Sequence, residues 1–165
     1  MIFQHAQTNK STQILQDLIN INNDRISAYQ SALKLGNIDS SIKDAINDII
    51  ADGVYYRQQL VKEVNKRDAE VKNMANILGK IYMAWNDLKV TLAANTQRAV
   101  ISSCMYNEKI ALHAYQAALS KDAGISNNLL QMLEEQEDGL KKNYELLRYF
   151  HEMHRLATSS LSYLV

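Results

Sequence analysis

Apolar residues recur at helical spacing in four separate runs of this chain. The first is Leu15, Leu18, Ile26, Tyr29 and Leu33; the second is Ile42, Ile46, Ile49, Gly53, Tyr56, Leu60 and Val64. The third is Ile101, Cys104, Ala111, Leu112, Tyr115 and Leu119; the fourth is Leu129, Met132, Leu133, Gly139, Leu140, Leu146, Leu147 and Phe150. Steps of three and four residues put each set on one face of an α-helix. Ser11 or Thr12 can cap the first helix, and Gly36 can stop it by taking the left-handed conformation. Ser41-Ile42-Lys43-Asp44 reads as a capping box that opens the second helix. Asn95 or Thr96 can open the third, Gly124 can close it, and Ser126 or Asn127 can open the fourth. The spacing therefore predicts helices over about 11–35, 40–74, 96–121 and 126–157, with a loosely packed polar N-terminus.

Two of the runs repeat the other two. Ala28-Tyr29-Gln30-Ser31-Ala32-Leu33 is echoed by Ala114-Tyr115-Gln116-Ala117-Ala118-Leu119, 86 residues later. The same offset relates Asp52-Gly53-Val54 to Asp138-Gly139-Leu140. The fold class predicted is all-α, a four-helix bundle made of two pseudo-repeated helix hairpins. Between them, a charged run at Lys66–Glu70 leads into an amphipathic stretch around Trp85, at about 76–93. That stretch is expected to be a helical crossover, and one long crossover sets ferritin-like bundles apart from simple up-down bundles. A mid-helix glycine costs about 1 kcal/mol relative to alanine. Gly53 and Gly139 are therefore expected where a neighbouring element comes close.

Composition sharpens this picture at a few points. The 165 residues suit a single domain, 1–165, able to bury a core. Proline is absent, so little interrupts long helices. Zero formal net charge offers no electrostatic case for nucleic acid or an acidic membrane as partner. One cysteine, Cys104, excludes an internal disulfide framework. No apolar run is long enough to span a bilayer. A cytoplasmic protein is expected, with a homo-oligomer, most simply a dimer, as its association state, helped by an apolar tail after Thr158.

The run Leu18-Ile19-Asn20-Ile21-Asn22-Asn23-Asp24-Arg25, followed by Tyr29, resembles a family of bacterial ferritin-like four-helix-bundle proteins of unknown function. Trp85-Asn86-Asp87-Leu88-Lys89 and Glu108 with Ala114-Tyr115 support the resemblance, which covers about Ser11 to Phe150. It implies a ferritin-like fold and no established activity.

Ferritin-like di-metal sites take a glutamate from each of two helices and a Glu-x-x-His pair from each of the other two. The repeat shows where to look for one. Asn22 and Glu108 are equivalent, as are Asp52 and Asp138, and the positions three further on are Tyr55 and Lys141. The pattern is worn: one carboxylate is an amide, two are shortened to aspartate, and both histidines are missing. If a metal binds, Asp52, Glu108 and Asp138 are its expected ligands, and hard oxygen donors suit iron, manganese or magnesium better than zinc. The bland alternative is a polar waist without cofactor, made of Asn22, Tyr29, Tyr55, Tyr115 and Lys141, with Lys141 neutralising Glu108 or Asp138. His151 and His154 lie one turn apart near the expected helix end, where the dipole favours a cation. Cys104 is expected to be a small buried hydrophobe.

Three functions follow. The first is a non-enzymatic bundle with a degenerate metal site, serving a structural, interaction or stress-associated role, with no catalytic residues. The second is a carboxylate-bound iron or manganese oxidase or store. The third is a binder of small molecules or lipids that uses room beside Gly53 and Gly139.

Overall fold

A computed structural model describes residues 2–34, 38–66, 96–120 and 125–161, with side chains described from residue 10 to residue 157 within these stretches. They form four helices: α1 (Ile2–Leu33), α2 (Ser40–Asn65), α3 (Gln97–Ala118) and α4 (Asn127–Leu161). Among the described residues there is no strand. The expected crossover helix at 76–93, the end of the second predicted helix at 67–74, Gly36 and Gly124 lie outside the described residues.

Two helix starts differ from expectation. α1 begins at Ile2, because nothing between Ile2 and Lys10 breaks a helix; Ser11 and Thr12 are buried within it and do not cap it. α2 begins at Ser40 with Asp39 as N-cap, so the expected capping box at Ser41 is not used. Asp39 makes no side-chain capping bond; its Oδ2 accepts from Gln97 Nε2 at 2.7 Å, while Gln97 Oε1 accepts from Asp39 N at 2.8 Å. This reciprocal clasp ties the starts of α2 and α3 together. α3 is capped as expected: Thr96 Oγ1 accepts from Ala99 N at 3.2 Å.

Side-chain pairs give the helix directions. Arg57 meets Asn23, and Gly53 lies against Arg25 and Ile26, so α1 and α2 are antiparallel. Asn22 meets Tyr115 while Tyr29 meets Cys104, so α1 and α3 are antiparallel too. Gln59 meets Gln136, Tyr56 meets Gly139 and Asp52 meets Asn143, which runs α4 against α2. It follows that α2 and α3 are parallel, and Lys66 and Thr96 lie at opposite ends of the bundle. At 1.5 Å per residue, the 26 residues of α2 set that span at about 39 Å.

The core is divided in two. One apolar cluster gathers Leu15, Leu18, Leu60, Val64, Leu129 and Leu133; the other gathers Ile38, Ile42, Ile46, Ile49, Ile101 and Leu147. Burying each such side chain contributes roughly 1.5–3 kcal/mol. Every member of the second predicted stripe, Ile42 to Val64, is buried. Leu146 is the exception in the fourth: it is exposed and Leu147 takes the core position, about 100° round the helix. A polar layer separates the two clusters.

Both mid-helix glycines sit at close approaches. A Cβ on Gly53 would lie 3.1 Å from Arg25 Nη1 and from Ile26 Cγ1. A Cβ on Gly139 would fall against the Tyr56 hydroxyl and 3.0 Å from its Cζ. Tyr56 is buried, so its ring must shift to admit a methyl group at position 139. Gly139→Ala is therefore expected to destabilise the fold by about 1–3 kcal/mol through overpacking. Urea denaturation should show part of that loss recovered in a Tyr56→Phe background, where the hydroxyl is gone. An unconditional stabilisation by Gly139→Ala would contradict this packing.

Candidate functional site

The polar layer is built by the stripe positions of α1 and α3 that carry no aliphatic side chain. Asn22, Arg25 and Tyr29 follow one another at steps of three and four on α1; Cys104, Glu108, Ala111 and Tyr115 do so on α3. All seven are buried. Helical periodicity thus aims two charges and two phenols at the bundle axis.

The centre is an ion pair. Arg25 Nε donates to Glu108 Oε1 at 2.5 Å, with both side chains shut off from solvent. Tyr29 donates to the same oxygen at 2.6 Å, and its hydroxyl also lies 3.2 Å from the Cys104 carbonyl. The Arg25 guanidinium stands 5.9 Å from the centroid of the Tyr29 ring, within cation–π range. Asn107 Nδ2 reaches the Arg25 carbonyl at 3.4 Å. Burial by itself pulls the Arg25 pKa down, but Glu108 beside it outweighs this and leaves it above the ordinary value. Burial, then the Glu108 charge, pushes the Tyr29 phenol well above its ordinary range. The Cys104 thiol is raised for the same reasons, which suits an inert buried hydrophobe.

A second network links all four helices. Asn22 Nδ2 donates to the Leu18 carbonyl at 2.9 Å and to Tyr115 Oη at 2.8 Å. Tyr115 donates to Gln136 Oε1 at 2.6 Å, and Gln136 Nε2 donates to Gln59 Oε1 at 2.8 Å. The path runs α1 to α3 to α4 to α2. Burial raises the Tyr115 phenol, the bond from Asn22 and the Arg25 charge opposing. Buried hydrogen-bonded networks of this kind fix register and a single packing arrangement.

The residues expected at the site divide accordingly. Asn22, Tyr29, Tyr115 and Glu108 are at the centre. Tyr55 is 56 % exposed, because its neighbour Tyr56 takes the inward position; its hydroxyl accepts from Gln59. Lys141 lies at the surface and pairs with Glu137 at 2.9 Å and Asp138 at 3.2 Å, so it does not neutralise Glu108. Asp138 is 66 % exposed. Asp52 is half-buried and accepts from Asn143 at 3.1 Å. Among the described residues no group of three or more His, Cys, Asp or Glu side chains is disposed to hold a metal ion, so Asp52, Glu108 and Asp138 do not converge. Position 138 rotates out because the core stripe of α4 passes through Leu133, Gln136 and Leu140. The donor set fits a metal poorly: the one deeply buried carboxylate, Glu108, already carries a guanidinium and a phenol on one oxygen. His151 and His154 are half-buried and sit inside α4, which continues to Leu161, so the helix-end dipole does not act on them.

Arg25 and Gln136 are the central residues that the sequence reading missed. Spacing was the available signal: Arg25 sits between Asn22 and Tyr29, and Gln136 between Leu133 and Leu140, each on its helix's own stripe. A charged or amide side chain on an apolar stripe reads as an interruption until its partner is in view. No curated protein matches the chain. The family profile described as a domain of unknown function, DUF2383, matches residues 10–121, a span that holds Asn22, Arg25, Tyr29, Glu108 and Tyr115, and the chain belongs to that family.

Proposed function

We propose that this chain is a ferritin-like bundle whose metal position has been given over to an internal ion pair, and that it serves as a structural or interaction protein. The Arg25–Glu108–Tyr29 contact carries the proposal. A guanidinium stays protonated at any physiological pH, so a cation is permanently seated on the carboxylate a metal would need. Two further features support the ferritin-like part. Parallel α2 and α3 demand one long connection, the mark of that topology. The hydrogen bonds also cross reciprocally: Tyr29 of α1 reaches Glu108 of α3, and Tyr115 of α3 accepts from Asn22 of α1. These residues are related by the same 86-residue offset that motivates the two-hairpin repeat.

The alternative is a carboxylate-bound iron or manganese oxidase or store. One observation favours it: Glu108 Oε2 is buried without a hydrogen-bond partner among the described residues. The test is to load the protein anaerobically with Fe(II) or Mn(II), desalt it, and count metal per chain beside Glu108→Ala. The proposal expects no difference between the two proteins and far less than one metal per chain. Near-integral metal in the wild type that disappears in Glu108→Ala would replace it with the alternative.

A further inference from the structure

One face of α4 changes character along its length. In its first half that face carries Gln131, Glu135, Asp138 and Lys142, all exposed and polar. From there the same three- and four-residue steps continue through Leu146, Tyr149, Met153 and Leu156, which are apolar and still 39 to 58 % exposed. This stripe is separate from the face of α4 that carries Leu133, Leu140 and Leu147 into the core. Its alternating steps are those of a helix seam meant for another helix.

The charges beside the stripe are ordered. Glu145 pairs with Arg148 at 2.6 Å and Glu152 with Arg155 at 2.8 Å, which draws both arginine heads onto the flank where the glutamates stand. Along the helix the flank reads acid, base, acid, base; read backwards it is base, acid, base, acid. An identical helix laid antiparallel, about a two-fold axis near Phe150 and His151, brings Glu145 opposite Arg155 and Arg148 opposite Glu152. The same axis sets Leu146 opposite Leu156 and Tyr149 opposite Met153. Self-complementarity of this kind is what a two-fold contact between identical surfaces requires. A parallel pairing would put this flank on opposite sides of the seam in the two copies and forfeit these charge pairs.

We propose that this face of α4 is a dimerisation surface, covered by the same face of a second copy running antiparallel. The apolar side chains supply the affinity, with Tyr149 as the aromatic anchor. The exposed ion pairs add little energy individually; their work is to select the partner and its direction. This surface is independent of the buried ion pair and stands or falls apart from it.

Sedimentation equilibrium of the full chain tests the proposal, with a mass of twice 18.8 kDa expected. Glu145→Lys with Glu152→Lys makes the flank wholly basic; Arg148→Glu with Arg155→Glu makes it wholly acidic. Each double variant is expected to sediment as a single chain, and an equimolar mixture of the two as a dimer. Unchanged helical circular dichroism separates lost association from lost folding, and Tyr149→Asp should break the wild-type dimer by removing the anchor. A monomeric wild type overturns the proposal; if Tyr149→Asp then lowers its urea midpoint, the cover is another part of the same chain. Two charge variants that both stay dimeric, or a mixture that stays monomeric, overturn it as well.

Discussion

Arg25→Met is expected to cost about 3–5 kcal/mol of folding stability, measured by urea denaturation at neutral pH. The substitution preserves much of the side-chain volume but strips the cation from Glu108, a carboxylate with no exposed surface. Tyr29 alone cannot compensate a buried charge. Glu108→Leu should cost a similar amount by the opposite route, leaving a buried guanidinium with only the Tyr29 ring beside it. The double variant Arg25→Met/Glu108→Leu is the informative one. It removes both charges, and apolar replacements of buried ion pairs are often neutral or stabilising. Its cost should fall well below the sum of the single costs, because neither charge is stranded. Arg25→Lys should remain destabilising although it keeps the charge, since an ammonium has no planar Nε to meet Glu108 and does not stack on Tyr29 in the same way. Single variants that each cost less than about 1 kcal/mol would mean that the pair is solvated, and the sealed centre described above would be wrong.

The second large effect is alkaline unfolding driven by Tyr29 and Tyr115. Both phenols have folded-state pKa values raised above the ordinary 10, with burial the main cause in each. The folded chain therefore keeps two protons that the unfolded chain releases above pH 10. Stability is unaffected by these groups below that pH and falls as pH rises through and beyond it. The slope is about 1.4 kcal/mol per pH unit for each tyrosine, or roughly 2.7 for both together. The urea midpoint should drop steeply between pH 10 and 11, with tyrosinate absorbance from these two residues appearing only as helical circular dichroism is lost. Tyr29→Phe/Tyr115→Phe should be less stable at neutral pH, having lost the bonds to Glu108 and Gln136. Its stability should nevertheless decline more gently with pH. An equal slope in the two proteins would show that the phenols are not sealed.

The centre of the bundle is partly legible in the sequence alone. The offset pairing Asn22 with Glu108 and Tyr29 with Tyr115 names four of its members, and spacing was enough to turn them inward. Gly53 and Gly139 were legible as close approaches, since a mid-helix glycine needs a reason and the repeat supplied the same one twice. What they approach was not legible: Arg25 and Ile26 in one copy, Tyr56 in the other. Arg25 is not legible as a central residue because a lone arginine on a stripe is usually a surface residue, and nothing local says that a carboxylate 83 positions away will meet it. The placement of the three carboxylates was hidden for a related reason. Asp52 and Asp138 are equivalent along the chain, yet each lies off its helix's core line, and a small rotation about the axis sends Asp138 to solvent and leaves Asp52 beside Asn143. Tyr55 and Tyr56 repeat the lesson: adjacent residues differ by about 100° in direction, so one is buried and the other is not.

By itself the sequence determined the four helices seen among the described residues, the faces they bury, the polar character of the waist and the need for a long link between the second helix and the third. These are local properties, set by periodicity, by the absence of proline and by a repeat that can be counted. Only the tertiary structure decided that Arg25 neutralises Glu108, that one hydrogen-bond path joins all four helices through Gln136, and that Leu146, Tyr149, Met153 and Leu156 stay outside. Each of these depends on the rotation and height of one helix against another. Those are set jointly by packing of the two apolar clusters, and no single stretch of chain contains them.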